Sequence, residues 1–212
     1  MPRSRPLVYY HKKSLTMEIS MSATAEDLYK NKKLSIEEYF ELEEELNQKF
    51  EYIDGEIFDM TGGTVNHGLI CKNTSTSLDN ALKNKPCTVF NSEVKLSIDE
   101  LKNYFYPDAM VLCEEGKISK KYVQHPRVIV EVLSPSTEDY DHGKKFAFYR
   151  LIDSLQTYIM LHQDKPLAEV YQRNSDNSWL LKEYSDLEVM IPVKDELSLA
   201  MSDLYRQVNF DL

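Results

Sequence analysis

Asp108 and Glu131, 23 residues apart, each set one carboxylate in an otherwise apolar, strand-like run: Tyr106-Pro107-Asp108-Ala109-Met110-Val111-Leu112 and Val128-Ile129-Val130-Glu131-Val132-Leu133-Ser134. An acid against a buried strand is costly unless it is paired or bound to a cation. Two such acids on adjacent strands offer hard oxygen ligands, the pattern that suits Mg2+ or Mn2+ with waters completing the shell. An ion held in this way can neutralise phosphodiester oxygens and hold a water beside them, while a nearby ammonium stabilises developing charge. Lys144 or Lys145, about one helical turn after the loop Ser134-Pro135-Ser136-Thr137, can supply that ammonium. Consecutive helical residues point about 100° apart, so only one of the two lysines can face the acids. Glu51, just ahead of an Asp-Gly turn, is a third carboxylate able to orient water. The competing reading of Asp108 and Glu131 is a structural ion pair with Lys95, Lys145 or Arg127.

These side chains need elements to hold them. Ser35 followed by Glu38 is a capping-box pattern and opens a helix over 36–46 with a charged outer face. Residues 50–60 alternate apolar and polar about Asp54-Gly55, the signature of a β-hairpin. Val65, Leu69, Ile70, Leu78 and Leu82 give helical spacing over roughly 65–84, ending before Pro86. Segments 87–90 and 93–98 read as strands, and the two acid-bearing strands follow, joined by a polar connection over 114–124. Asp141 reads as the N-cap of a helix over about 142–152. Three strands near 158–161, 168–171 and 179–181, the last two a hairpin about 174–177, and a short helix near 202–207 complete the pattern. Strands and helices mixed in this way predict one α/β or α+β domain over 31–212, with residues 1–30 as a poorly ordered leader.

At 212 residues and 42% hydrophobic content the chain can bury a core. It lacks both the apolar run of a membrane span and the apolar stretch of a secretory signal, which points to a cytoplasmic protein. Cys71, Cys87 and Cys113 are odd in number and widely spaced, so they read as reduced, partly buried thiols. A net charge of −10 opposes non-specific attraction to a polyanion, so any nucleic-acid function must rest on a local basic surface. His11, His125, His142 and His162 show no ligand spacing and read as structural or surface residues. Ser134, Ser136 and Thr137 have neither a histidine nor a glycine elbow beside them and read as a turn rather than as nucleophiles.

Pro107-Asp108, then Ile129-Val130-Glu131-Val132-Leu133-Ser134-Pro135-Ser136-Thr137, then Asp141 with Lys145 and Tyr149, closely resembles the Uma-type putative restriction endonucleases of the PD-(D/E)XK nuclease superfamily. Phe50-Glu51-Tyr52-Ile53-Asp54-Gly55, with His67 downstream, resembles that family's upstream motif, so the likeness runs from about residue 35 to the C-terminus. The resemblance implies a restriction-endonuclease-like core, a mixed sheet flanked by helices, in a metal-dependent DNA endonuclease. It implies Asp108 and Glu131 as metal ligands, with the backbone carbonyl of Val132 as a third, and Mg2+ or Mn2+ as cofactor. Leu133 stands where the superfamily usually has a lysine. Lys145 matches a variant in which that lysine has moved to the next helix, with Lys144 as its competitor. Tyr149 and His67 are supporting candidates. Cutting both strands of a duplex would need two active sites, which suggests a homodimer. The alternative from another class is a catalytically inactive nuclease-fold binding or assembly module.

Overall fold

The computed structural model describes Tyr29 and residues 32–60, 62–98, 101–135, 138–194 and 197–211. Apart from Tyr29, the expected leader lies outside the described residues, and so do Ser136 and Thr137. Helix α1 (Ile36–Leu46) opens on a capping box: the Ser35 side chain accepts from the Glu38 N–H, and the Glu38 carboxylate accepts from the Ser35 N–H at 2.7 Å. It buries Tyr39 and Leu42. Strands β1 (Phe50–Ile53) and β2 (Glu56–Asp59) then pair through a two-residue turn. Asp54 (φ 52°) and Gly55 (φ 92°) both lie in the left-handed region that a primed hairpin turn requires.

Helix α2 (Val65–Leu82) is capped by the Thr64 side chain, which accepts from the His67 N–H. Strands β3 (Thr88–Asn91), β4 (Leu96–Ile98), β5 (Asn103–Phe105), β6 (Ala109–Leu112), β7 (Lys117–Ile118), β8 (Val123–Gln124) and β9 (Val128–Leu133) follow. Helix α3 (Glu138–Tyr140), a π-helical turn at Asp141–Lys145 and α4 (Phe146–Tyr149) form one continuous stretch. Strands β10 (Thr157–His162), β11 (Ala168–Arg173), β12 (Trp179–Tyr184), β13 (Met190–Val193) and β14 (Leu197–Ala200) lead to α5 (Met201–Leu204). One sheet runs β2-β1-β5-β4-β8-β7 and a second β12-β11-β10-β9-β6-β3. In the second, β9 and β10 are parallel and the other neighbours are antiparallel.

Alternation along the strands sorts residues into layers. Val128, Val130 and Val132 of β9 join Ile70, Leu78 and Leu82 of α2 in one core, roofed by the β13–β14 hairpin and α5. Ile129 and Leu133 point the other way, into a layer shared with Ile53, Leu96, Phe105, Phe146 and Tyr149. Phe50 and Tyr52 of β1 turn outward onto Tyr39 of α1. The C-terminal segment is stitched to α2 by side-chain amides. Asn73 donates to the carbonyls of Leu204 and Arg206 at 3.1 and 2.8 Å, and Asn66 donates to that of Asn209 at 2.8 Å.

The mixed architecture agrees with the sequence reading, with local corrections. The helix expected over 142–152 begins at Glu138, and Asp141 is not its cap but the first residue of the π turn, paired along the helix with Lys145. The polar connection over 114–124 contains β7 and β8, too short and too exposed on β7 to leave a periodic signal. Cys87 and Cys113 are joined as a disulfide, so of the three expected thiols only Cys71 is free. The pairing follows from register, since Thr88 faces Leu112 and the next pair outward is Cys87 and Cys113. Among the described residues no helix is long and apolar enough to cross a membrane.

The disulfide closes a loop across a sequence separation of 26. Chain-entropy arithmetic for a loop of that size gives about 3.5 kcal/mol. Denaturant unfolding with and without reductant should differ by roughly that amount, and Cys87→Ala/Cys113→Ala should behave like the reduced protein.

Candidate active site

The layer between the two sheets collects charge where an apolar core would be expected. On β1, Glu51 lies between Phe50 and Tyr52, so alternation turns it inward, as it does Ile53. On β9, Glu131 lies between Val130 and Val132 and faces the same layer. The π turn then lowers Lys145 between them. Its Nζ lies 3.0 Å from Glu51 Oε1, 3.0 Å from Glu131 Oε1 and 3.5 Å from Asp141 Oδ1. Tyr149, one turn later, donates to Glu131 Oε1 at 2.8 Å, and Tyr140 donates to Glu51 Oε2 at 3.3 Å. Glu51, Glu131, Asp141 and Lys145 are all buried.

Asp108 immediately precedes β6. The β6–β9 register pairs Ala109 with Val130, so one further step sets Asp108 opposite Glu131, the arrangement in which cross-strand side chains meet. Asp108 Oδ2 accepts from the Val132 N–H at 2.8 Å and lies 3.5 Å from His67 Nε2. His67 arrives from the first turn of α2, and its Nδ1 is 3.4 Å from Cys71 Sγ.

Burial is the largest influence on Glu131 and drives its carboxyl well above the ordinary range. Lys145 opposes that rise, while Asp108, Asp141 and Glu51 add to it. Burial also works against the Lys145 charge, yet Glu131 and Glu51 outweigh it and hold the ammonium well above its usual pKa. For Asp108, burial is again the largest influence and would raise the carboxyl, but His67, the Val132 N–H and Lys145 together hold it below 3.8. His67 is raised above 6.5, chiefly by its hydrogen bond to Asp108.

The structure therefore brings Glu51, Asp108, Glu131, Lys145, Tyr149 and His67 into one neighbourhood, with Val132 contributing backbone. Lys144 is excluded because it points to solvent while Lys145 is buried. Lys95 is also remote, held by Glu43 and stacked over the Tyr39 and Phe40 rings at 4.3 and 4.2 Å. The ion-pair reading is met at Glu131, whose charge partner is Lys145 at 3.0 Å.

Over residues 36–204 the sequence matches the family model Uma2, described as "Putative restriction endonuclease". The chain belongs to the Uma2 family. Two uncharacterized proteins of Synechocystis sp. are similar to it. One is 37% identical over 179 residues, covering 84% of this chain and 94% of the relative. The other is 39% identical over 153 residues, covering 71% and 86%. A crystal structure of a putative nuclease belonging to DUF820 from Anabaena variabilis shares the fold. Its TM-score is 0.62 at 19% identity, over 75% of this chain and 90% of that one. The architecture is that of the restriction-endonuclease-like fold.

In this Uma2-family chain, sequence reasoning missed two neighbours of the site. Asp141 was legible as a cap, but its side chain instead pairs with Lys145 four residues on. Cys71 was legible through its spacing of four from His67, which puts both on one face of α2.

Removing the Lys145 ammonium takes from buried Glu51, Glu131 and Asp141 a charge partner that all three share. Lys145→Met should cost about 3–5 kcal/mol in denaturant unfolding without metal, and Lys144→Met close to nothing. His67 has a folded pKa above its unfolded value of 6.5. Its contribution is complete below that pH and is lost as pH rises through the raised folded value. Melting curves of metal-free protein should therefore show stability falling above pH 6.5, with a flatter profile in His67→Gln.

Proposed function

We propose that the protein is a divalent-metal-dependent phosphodiesterase acting on nucleic acid, a DNA endonuclease. The observation that carries this reading is the excess of acid in a buried layer: Glu51, Glu131 and Asp141 around one ammonium, with Asp108 at the register position opposite Glu131. Among the described residues, Glu51 Oε1 is buried without a hydrogen bond and is in ionic contact with Lys145. Glu131 is pushed toward its neutral form. A divalent cation beside Asp108 and Glu131 would relieve that excess, so the residues present fit such an ion.

Asp108 and Glu131 would hold the ion through carboxylate oxygens. In an extended strand the N–H and C=O of one residue face the same neighbour, so the contact from the Val132 N–H to Asp108 supports the Val132 carbonyl as a third ligand. All-oxygen donors favour Mg2+ or Mn2+. When bound, the ion supplies Lewis acidity toward a phosphate oxygen and a water of lowered pKa. The chain's own groups do the rest. Lys145 presents a fixed positive charge to the developing phosphorane oxygens, Glu51 orients the attacking water, and Tyr149 fixes the rotamer of Glu131. His67 and the Val132 N–H aim Asp108. DNA as substrate rests on the restriction-endonuclease description of the family. Cleavage of both strands would further call for a two-fold dimer.

The second reading, an inactive nuclease-fold module, is favoured by one observation. Lys145 already contacts two acids at 3.0 Å, a neutralisation that needs no ion. Thermal unfolding separates the two readings. Mn2+ at a hundredfold excess over its Kd should stabilise the wild type by about 2.7 kcal/mol. Asp108→Ala and Glu131→Gln should lose that gain together with cleavage of plasmid DNA. A wild type whose melting temperature ignores millimolar Mn2+, and which leaves DNA intact, would be the inactive module.

A further inference from the structure

Asp108 also meets donors that arrive from helix α2. His67 and Cys71 are one turn apart on α2, and side chains spaced by four overlie one another on a helix face. One ligand atom from each of His67, Cys71 and Asp108 lies within 4.8 Å of the other two. All three residues are partly buried. This nitrogen, sulfur and oxygen set differs in kind from the all-oxygen set at Asp108 and Glu131.

We propose that His67, Cys71 and Asp108 form a second metal site, for a borderline-soft divalent cation of the Zn2+ or Co2+ class. Tetrahedral coordination with bonds of about 2.0–2.3 Å needs ligand atoms roughly 3.3–3.7 Å apart. His67 Nε2 lies 3.5 Å from Asp108 Oδ2, while Cys71 Sγ lies 3.4 Å from the other ring nitrogen, Nδ1, so the imidazole stands between the two partners. For a single imidazole nitrogen to serve the ion, the three ligand atoms must draw together from separations of up to 4.8 Å. Three protein ligands leave a fourth position for water, the layout of an open rather than a sealed zinc site.

The surroundings suit a metal ligand set. Asp108 is aimed by the Val132 N–H at 2.8 Å, the kind of outer hydrogen bond that orients a ligating carboxylate. The Thr64 cap fixes the first turn of α2, where His67 sits. Gly63 leaves room for the ring, because a Cβ there would lie 2.6 Å from His67 Nδ1. Without an ion, burial and the Asp108 charge keep Cys71 a thiol. Binding therefore transfers the thiol proton to solvent as the sulfur–metal bond forms. Magnesium, which requires oxygen donors, is a poor occupant of this triad.

Asp108 is common to both sites, and only through that residue does this inference rest on the nuclease reading. Co2+ titration of the full-length, disulfide-intact protein tests it, because Cys71 is then the free thiol among the described residues. The expected result is a near-ultraviolet thiolate-to-cobalt band that saturates at one equivalent and disappears on adding Zn2+. The band should be absent in Cys71→Ser, strongly weakened in His67→Gln and retained in Glu131→Gln. Retention in Glu131→Gln, which lacks the proposed hard-ion site, separates failure of this proposal from failure of the nuclease reading. A measurement on unaltered protein gives a second arm: Zn2+ should slow alkylation of Cys71 at least tenfold, and Mg2+ should not. No cobalt band in folded wild type, a band that survives Cys71→Ser, or equal alkylation rates with both ions would overturn the proposal.

Discussion

A single ammonium, that of Lys145, holds together a region that would otherwise repel itself. Glu51, Glu131 and Asp141 all lie within 3.5 Å of it, in a layer from which water is largely excluded. Burying such a cluster is a poor route to stability, because the desolvation of each charge offsets much of the Coulomb gain. An apolar packing of similar volume would serve a scaffold as well or better. What the arrangement does supply is a fixed field with more acid than base, and the two sheets are spaced to keep it. One wall carries Glu51 on β1 and the other carries Glu131 on β9.

The position of that ammonium depends on an irregular piece of helix. A π turn between two short α-helical segments sets Lys145 over β9 and leaves Lys144 in solvent. Such turns are uncommon and concentrate at working sites. This one is pinned on both flanks. Phe146 stacks on Tyr158 with ring centres 5.1 Å apart and meets Trp179 edge-on at 5.3 Å. On the polar side, His142 Nε2 contacts Glu169 Oε1 at 2.9 Å, and that oxygen is shared with His162 Nε2 at 2.9 Å. His142 and His162, which read from sequence as ordinary histidines, brace the turn against β10 and β11.

What the sequence revealed follows the range of each signal. Local chemistry was legible: the Ser35–Glu38 box, the Asp54-Gly55 turn and the apolar acid-bearing strands all appear as expected. So was the choice of Lys145 over Lys144, through its spacing of four from Tyr149. Features that depend on tertiary register were not. The Cys87–Cys113 bond needs β3 beside β6, and the meeting of Glu51 with Lys145 needs β1 set across from the π turn. Strands β13 and β14 escaped notice because Met190, Pro192 and Ser198 give weak alternation until Ile191, Val193, Leu197 and Leu199 find α2 beneath them. The donors at His67 and Cys71 fell between these cases. Their spacing was visible, but their proximity to Asp108 came only from packing α2 across the sheet.

The amides of Asn66 and Asn73, clasped to carbonyls at Asn209, Leu204 and Arg206, tie helix α2 to a segment much later in the chain. Ribosomes deliver a chain from its N-terminus, and a domain can complete only the contacts whose partners have already emerged. Glu51, Asp108, Glu131 and Lys145 are all translated before the residues that seat α2 beside Asp108. A nascent chain thus carries every acid of the pocket while its histidine-bearing wall is still unclasped.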